Sequence, residues 1–568
     1  MKKLLWIAFI LNLIILPMVI FAQDDGDIDD SLIGAEGIGD PYYPMMGNGG
    51  YDVQNYNITL DVDMDAEEIA GTTVISAITT QDLARFNLDF GDLEISMVQV
   101  NQQPAEYTHA NNELTITLAE VLTANTPFTV TVSYIGDPNA SRLGGWSFYG
   151  EGVLVAGEPT GASGWFPVNE HPLDKATYSY NITVDTPFIV GANGTQQSVL
   201  IRDGHATYRW SSQDPMSSYL TTVVIGEFDI VRDETGSGIP IRNYFSVNVP
   251  QTALEDFALQ ADMIDFFETV FGPYPFEAYG SVVHNVPLGF ALETQTLSTF
   301  GNSFTNEGVI AHELAHQWFG NAVGPAAWQH IWLNEGFATY AEVLWIEHSR
   351  GENAMTQRIR GLYQNMAYFG VDVDRTTLVE VLADLPLTDK TFTQQEATEA
   401  LNRLLAGVIS PIQVGMLTGD IGTGEITDAD LIDLIGSAPF DTGELDLRGI
   451  YDFFILLDLQ ATADELGLNP NVLVGDPGAD NLFAGQVYQR GGLTLHALRL
   501  EIGDEAFFET LRTYTARFDN GNVTTDDFIA VAEEISGQDL DALFDAWLYQ
   551  GELPDMPQLN LYATDFQP

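Results

Sequence analysis

The 568-residue chain carries 81 acidic against 20 basic side chains, a formal charge of −61, which argues against nucleic acid or an anionic membrane as a partner because both would repel it. Its length exceeds what one hydrophobic core fills, so two or more domains are expected, and an apolar content of 45% suffices to pack them. There is no cysteine, which removes disulfides, thiolate metal sites and cysteine lipid anchors and leaves nitrogen and oxygen ligands for any metal.

Residues 1–22 open with Lys2 and Lys3, continue as an apolar run from Leu4 to Phe21, and stop at an acidic stretch. That layout is a secretory signal, with an uncleaved N-terminal membrane anchor as the alternative reading of so long a run. A secreted or cell-envelope protein is expected. Lysine is otherwise limited to Lys175 and Lys390; such a surface suits high salt, and equally suits an ordinary acidic exported protein. Residues 23–48 are rich in Asp, Gly and Pro and read as an acidic flexible linker.

From 49 to 235 the text is dominated by short alternating segments, among them 56–62, 72–78, 113–118 and 128–134, which predict a β-rich N-terminal domain. The period then turns helical, with Leu254, Phe257, Ala261, Ile264 and Phe267 on one face. A mainly helical part is expected over 236–395. It includes a helix at 306–319, capped by Asn306 and closed by Gly320, and another at 332–349, followed by Gly351. Residues 396–480 form a helical insertion with two similar pieces, 418–435 and 439–457. They loosely resemble the duplicated calcium loops of dockerin or EF-hand modules, but 420–430 lacks the alternating oxygen ligands, so Ca2+ is not the favoured reading. Helices resume over 481–553, at 491–501, 504–518, 525–536 and 540–548, and 554–568 is a tail.

The strongest chemical signal is His312-Glu313-Leu314-Ala315-His316. On a helix, positions i and i+4 share a face about 6 Å apart along the axis, so two imidazoles can grip one ion. Glu335 opens the next helix, and an antiparallel return brings its carboxylate to the same point. Two His and one Glu leave a fourth tetrahedral position for water, the catalytic arrangement of one Zn2+, with Glu313 as the base. Glu342, seven residues beyond Glu335 on the same face, is placed to orient a ligand histidine; its bland alternative is a surface ion pair. For His109, His205, His284, His330, His348 and His496 a hydrogen-bonded core or surface role is the better reading.

Tyr51-Asp52-Val53-Gln54-Asn55-Tyr56, Trp165-Phe166-Pro167-Val168-Asn169-Glu170-His171-Pro172 and Trp332-Leu333-Asn334-Glu335-Gly336-Phe337-Ala338 resemble the aminopeptidase N and leukotriene hydrolase family of gluzincin metallopeptidases. The resemblance covers 51–390 and about 481–553. It implies an α+β multidomain fold: a saddle-like β domain, then a thermolysin-like zinc domain, here carrying the helical insertion. Because the text ends soon after Trp547-Leu548-Tyr549-Gln550, where longer relatives continue, no C-terminal superhelical domain is expected, and without it a more open cleft. The resemblance further implies that Glu293, within Phe290-Ala291-Leu292-Glu293-Thr294, binds the substrate amine. That stretch matches the family's Gly-x-Met-Glu-Asn loop only at its Glu, and Ala291 carries over as a substrate contact. Glu158 matches the second amine anchor, and Tyr488, in Tyr488-Gln489-Arg490-Gly491, matches the tyrosine that donates to the oxyanion. The expected activity is hydrolysis of the first peptide bond of peptides with a free N-terminus. A thermolysin-like endopeptidase and a non-catalytic scaffold are the rival readings.

Overall fold

The computed structural model describes residues 28–140, 144–150, 152–368, 370–371, 391–393, 396–398, 401, 404, 426–437, 445–457 and 472–565. The signal expected at 1–22, the start of the linker, most of the insertion's loops and the last three residues of the tail lie outside these. Among the described residues no helix is long and apolar enough to cross a membrane.

The alternating segments form an eight-stranded sheet in the order Thr195–Arg202, His205–Met216, Ala176–Asp185, Tyr51–Asp63, Glu68–Thr79, Pro127–Gly136, Glu94–Val100 and Gln103–Pro104. Its pairs are antiparallel except the third, where Tyr51–Asp63 runs parallel to Ala176–Asp185. Period-2 burial places Tyr56, Ile58, Leu60 and Val62 on the inner face. There Tyr56 stacks on Tyr178, its register partner, at 5.0 Å between ring centroids. A separate four-stranded sheet includes the strand Gly152–Ala156, which ends two residues before Glu158.

The second unit begins with a sheet, not with helices. Strand Phe228–Glu234 pairs with Pro240–Ser246, then Ser281–His284, Ser298–Gly301 and, at the edge, Ala291–Leu292. Hydrogen bonding thus joins 228–234 to the second unit, beyond the boundary expected at 235, because strand alternation alone says nothing of which sheet a strand joins. Helices Glu307–Ala315, Trp332–Arg350 and Gly485–Ile502 follow. The last two pack glycine to glycine: a Cβ on Gly336 would lie 2.9 Å from the Gly491 backbone. That close approach brings Tyr488, one turn before Gly491, beside Glu335. Arg490 fixes the same helix by donating to the carbonyls of Ala546, Trp547, Gln550, Gly551 and Glu552. Its fork caps the end of the final helical turn, a geometry a lysine cannot reproduce.

Lys175 joins three separated pieces of chain, donating from Nζ to the carbonyls of Asn321, Ala322 and Gly521 at 2.8–3.0 Å. The segment 28–48 corrects the expectation of a flexible linker. Asp40 is buried and accepts from the backbone N–H groups of Tyr42, Tyr43 and Trp328, with His171 Nε2 3.3 Å away. Met46 is buried, and its sulfur accepts from Trp328 Nε1. The turn-forming residues that read as disorder are turns whose orphan amides a carboxylate caps.

Ile426–Thr427, in the insertion, pairs antiparallel with Thr391–Phe392, which precedes it, and helices Asp428–Ser437 and Leu447–Leu456 follow the short strands Ile426–Thr427 and Leu445–Asp446. The carboxylate of Asp430 accepts from the backbone and hydroxyl of Thr427 at the start of its helix. The loop 420–425 lies outside the described residues.

Candidate metal centre

Asn306 caps the helix Glu307–Ala315, its side chain accepting from the amides of Gly308 and Val309. The helix stops one residue before His316, shorter than the expected 306–319, and the chain turns at Gly320 with φ +115°. The early stop frees the carbonyl of Phe319, which lies 3.0 Å from Nδ1 of His316. A side chain at Gly320 would crowd Asn334 and that same ring nitrogen.

The return through 317–331 delivers Glu335 to the two imidazoles. Its Oε2 lies 3.2 Å from Nε2 of His312 and 3.5 Å from Nε2 of His316. The three donor atoms fall within 4.8 Å of one another, and all three residues are buried. Nδ1 of His312 faces Glu342 Oε1 at 3.0 Å, as Nδ1 of His316 faces the Phe319 carbonyl. With these outer acceptors taking the Nδ1 protons, neutral imidazoles would offer both Nε2 lone pairs to one cation beside Glu335. The donor set, two imidazoles and one carboxylate with no sulfur, fits zinc.

A cavity of about 300 Å³ opens over this point, lined by the carboxylates of Glu158, Glu293, Glu313, Glu335 and Glu342 and, among the described residues, by no lysine or arginine. Burial pushes the carboxyls of Glu158, Glu293 and Glu313 upward, all three aided by the charge of neighbouring carboxylates and the last two opposed by His312 and His316. Such a set is stable as carboxylates only beside positive charge. Glu293 is held through its backbone, whose carbonyl accepts from Gln317 Nε2 and Asn321 Nδ2, and its Oε1 is buried without a partner. Glu158 Oε1 is likewise buried and unpartnered. Oxygens of Glu158, Glu293 and Glu335 lie within 4.8 Å of one another, as do ligand atoms of Glu293, Glu313 and His316.

Tyr488 stacks on His312 with ring centroids 5.8 Å apart and faces the cavity. Burial, with the carboxylates around it, raises its pKa well above the usual phenol value, so it stays a hydrogen-bond donor. Ala291 lines the cavity from the edge strand.

All nine residues singled out in the sequence therefore meet at one cavity. The other histidines lie apart: His284 beside the Tyr149 hydroxyl, His496 beside Tyr340, His330 beside Thr525, His109 beside the Phe90 carbonyl, His205 beside Asp185, and His348 stacked on Phe266. Sequence reading missed the Phe319 carbonyl, and Gln317 and Asn321, whose side-chain amides hold the Glu293 carbonyl; each contact has a backbone group on one side, which no side-chain motif reveals. It also passed over Phe290, Phe304 and Val309, which line the cavity and whose apolar character reads as ordinary core.

The Peptidase M1 N-terminal domain model matches residues 53–220, and the Peptidase family M1 domain model matches residues 259–393 and 461–547. Aminopeptidase M1 of Arabidopsis thaliana is 28% identical over 329 residues, 51% of this chain and 37% of that protein. Endoplasmic reticulum aminopeptidase 1 of Homo sapiens is 29% identical over 325 residues, 51% of this chain and 34% of that protein. The chain thus spans about a third of the length of these two curated relatives. A crystal structure of an M1 zinc metallopeptidase from Deinococcus radiodurans superposes with a TM-score of 0.66 at 25% identity, covering 92% of this chain and 99% of that one.

Proposed function

We propose, from the premise that this chain belongs to peptidase family M1, that it is a zinc-dependent aminopeptidase, hydrolysing the N-terminal peptide bond of peptides with a free amine. The observation that carries the reading is the pair of buried, unpartnered oxygens on Glu158 and Glu293 beside the three-donor cluster of His312, His316 and Glu335. Two carboxylates without a proton donor are a receptor for an ammonium group, and only a chain end places such a group beside a peptide bond.

His312, His316 and Glu335 would hold one zinc ion. When bound, zinc supplies a Lewis acid that polarises a carbonyl and lowers the pKa of a water from about 15.7 to roughly 7. Glu313, one residue from a ligand on the same helix, takes the proton of the attacking water and later passes it to the departing amine. Tyr488 keeps its proton and donates to the oxygen on which charge develops. Glu293 and Glu158 hold the ammonium, and Ala291 lines the path of the backbone, so the first peptide bond is the one presented. Glu342 keeps His312 in the tautomer that offers Nε2 to the centre.

The same reading makes the enzyme exported, secreted or held at the cell envelope, and what supports this is the run from Lys2 to Phe21. Aminoacyl-arylamide hydrolysis tests the function: it is expected to vanish when a chelator strips zinc and to return when zinc is restored. Full activity in the stripped protein would sink the proposal.

A further inference from the structure

The cavity has two chemically distinct halves. One holds Glu158, Glu293, Glu313, Glu335, the two histidines and Tyr488; the other is mainly apolar, built from Gly289, Phe290, Ala291, Phe304 and Val309, with Glu342 as its one carboxylate. Phe290 and Phe304 are 43% and 39% exposed, large rings left open to the cleft. Their loops are stitched together: Asn302 N–H donates to the Val286 carbonyl at 2.9 Å, Ser303 Oγ donates to the Leu288 carbonyl at 3.1 Å, and Asn302 Nδ2 donates to Asn285 Oδ1 at 3.2 Å. The two loops are therefore held together, and both rings line the same cavity.

The direction of the apolar half follows from the elements that carry it. Glu293 lies just past the C-terminal end of the edge strand Ala291–Leu292 and Phe290 just before its start, about 10 Å apart at the rise of a strand. Val309 lies three residues before His312, about one helical turn towards the helix N-terminus. A substrate whose ammonium sits at Glu158 and Glu293 has its first carbonyl over His312, His316 and Glu335. Its chain leaves on the far side of the metal site, one residue about every 3.4 Å, into the half walled by Phe290, Phe304 and Val309. The remaining charge there, Glu342, is already engaged by His312 and Arg358.

We propose that Phe290, Phe304 and Val309 form the subsite for the side chain that follows the scissile bond, so that the enzyme selects peptides with a large apolar second residue. The inference rests on the reading that Glu158 and Glu293 hold the amine.

The test uses the zinc-loaded full chain and two tripeptide series, Ala-Xaa-Ala and Xaa-Ala-Ala. With Leu or Phe as the second residue, kcat/KM is expected to be about tenfold or more above Gly or Asp. The double variant Phe290→Ala with Phe304→Ala is expected to bring that ratio within about twofold while the ranking of first residues stays as in the parent. Both rings are exposed, so the variant should fold, and its zinc content checks this. A flat second-residue series in the parent, with free-amine peptides still cleaved, overturns the subsite and leaves the aminopeptidase reading standing. So does a variant whose ranking changes at the first residue instead. Cleavage of none of the peptides overturns both.

Discussion

Oε1 of Glu342 lies 3.0 Å from Nδ1 of His312, while its Oε2 accepts from Arg358 Nη2 at 2.9 Å. One helix thus supplies Glu335 to the donor cluster and, two turns later, the carboxylate that faces the outer nitrogen of another of its donors. Glu342→Gln is expected to weaken zinc affinity by about 10- to 100-fold. Competition with a chromogenic chelator measures it, and an unchanged affinity would remove Glu342 from the account.

Glu313 sits between the two histidines in sequence and faces the cavity, yet the donor cluster is complete without it. Glu313→Gln should therefore keep a full zinc complement and lose about 10²- to 10⁴-fold in kcat. Metal analysis paired with turnover separates the two effects. Normal turnover in the zinc-loaded variant means the base lies elsewhere.

Tyr488→Phe removes only a hydroxyl whose proposed partner exists in the transition state. A fall of about 10²- to 10³-fold in kcat with little change in KM is expected. A rise in KM alone would make Tyr488 a ground-state contact.

Asp40 predicts an acid limb in the stability profile. Burial alone would raise its pKa, but hydrogen bonds from His171 and from the amides of Trp328, Tyr43 and Tyr42 hold it at about 2, below the ordinary 3.8. A folded value below the unfolded one means its stabilising contribution is present above about pH 4 and is lost as pH falls through about 2. Denaturant midpoints from pH 6 to pH 2.5 should drop less steeply in Asp40→Asn than in the parent. Parallel curves would show that other groups set the limb.

Asp40 also marks where the sequence was opaque. Periodicity resolved the strands of the first sheet and the metal helix because those signals are local, repeating every two or 3.6 residues. The Asp, Gly and Pro of 28–48 are local too, but what they bind, Trp328 and His171, lies more than a hundred residues away. The assignment of Phe228–Glu234 to the second sheet is non-local in the same sense. At the site, spacing exposed His312, Glu313, His316 and Glu335, whereas Glu293, Glu158 and Tyr488 came from resemblance, since a lone acid or tyrosine carries no pattern of its own. Phe290 departs from the family's loop, and its exposure to the cleft is visible only in three dimensions.

The central claim is that the unpartnered oxygens of Glu158 and Glu293 receive a chain-terminal ammonium. It is tested most directly by comparing cleavage of one peptide with a free and with an acetylated N-terminus, using the zinc-loaded protein. The free-amine peptide should lose its first residue, and acetylation should lower kcat/KM by about 100-fold or more, because the buried carboxylates are then left without their cation. Equal cleavage of the two peptides would contradict the account and make the protein an endopeptidase.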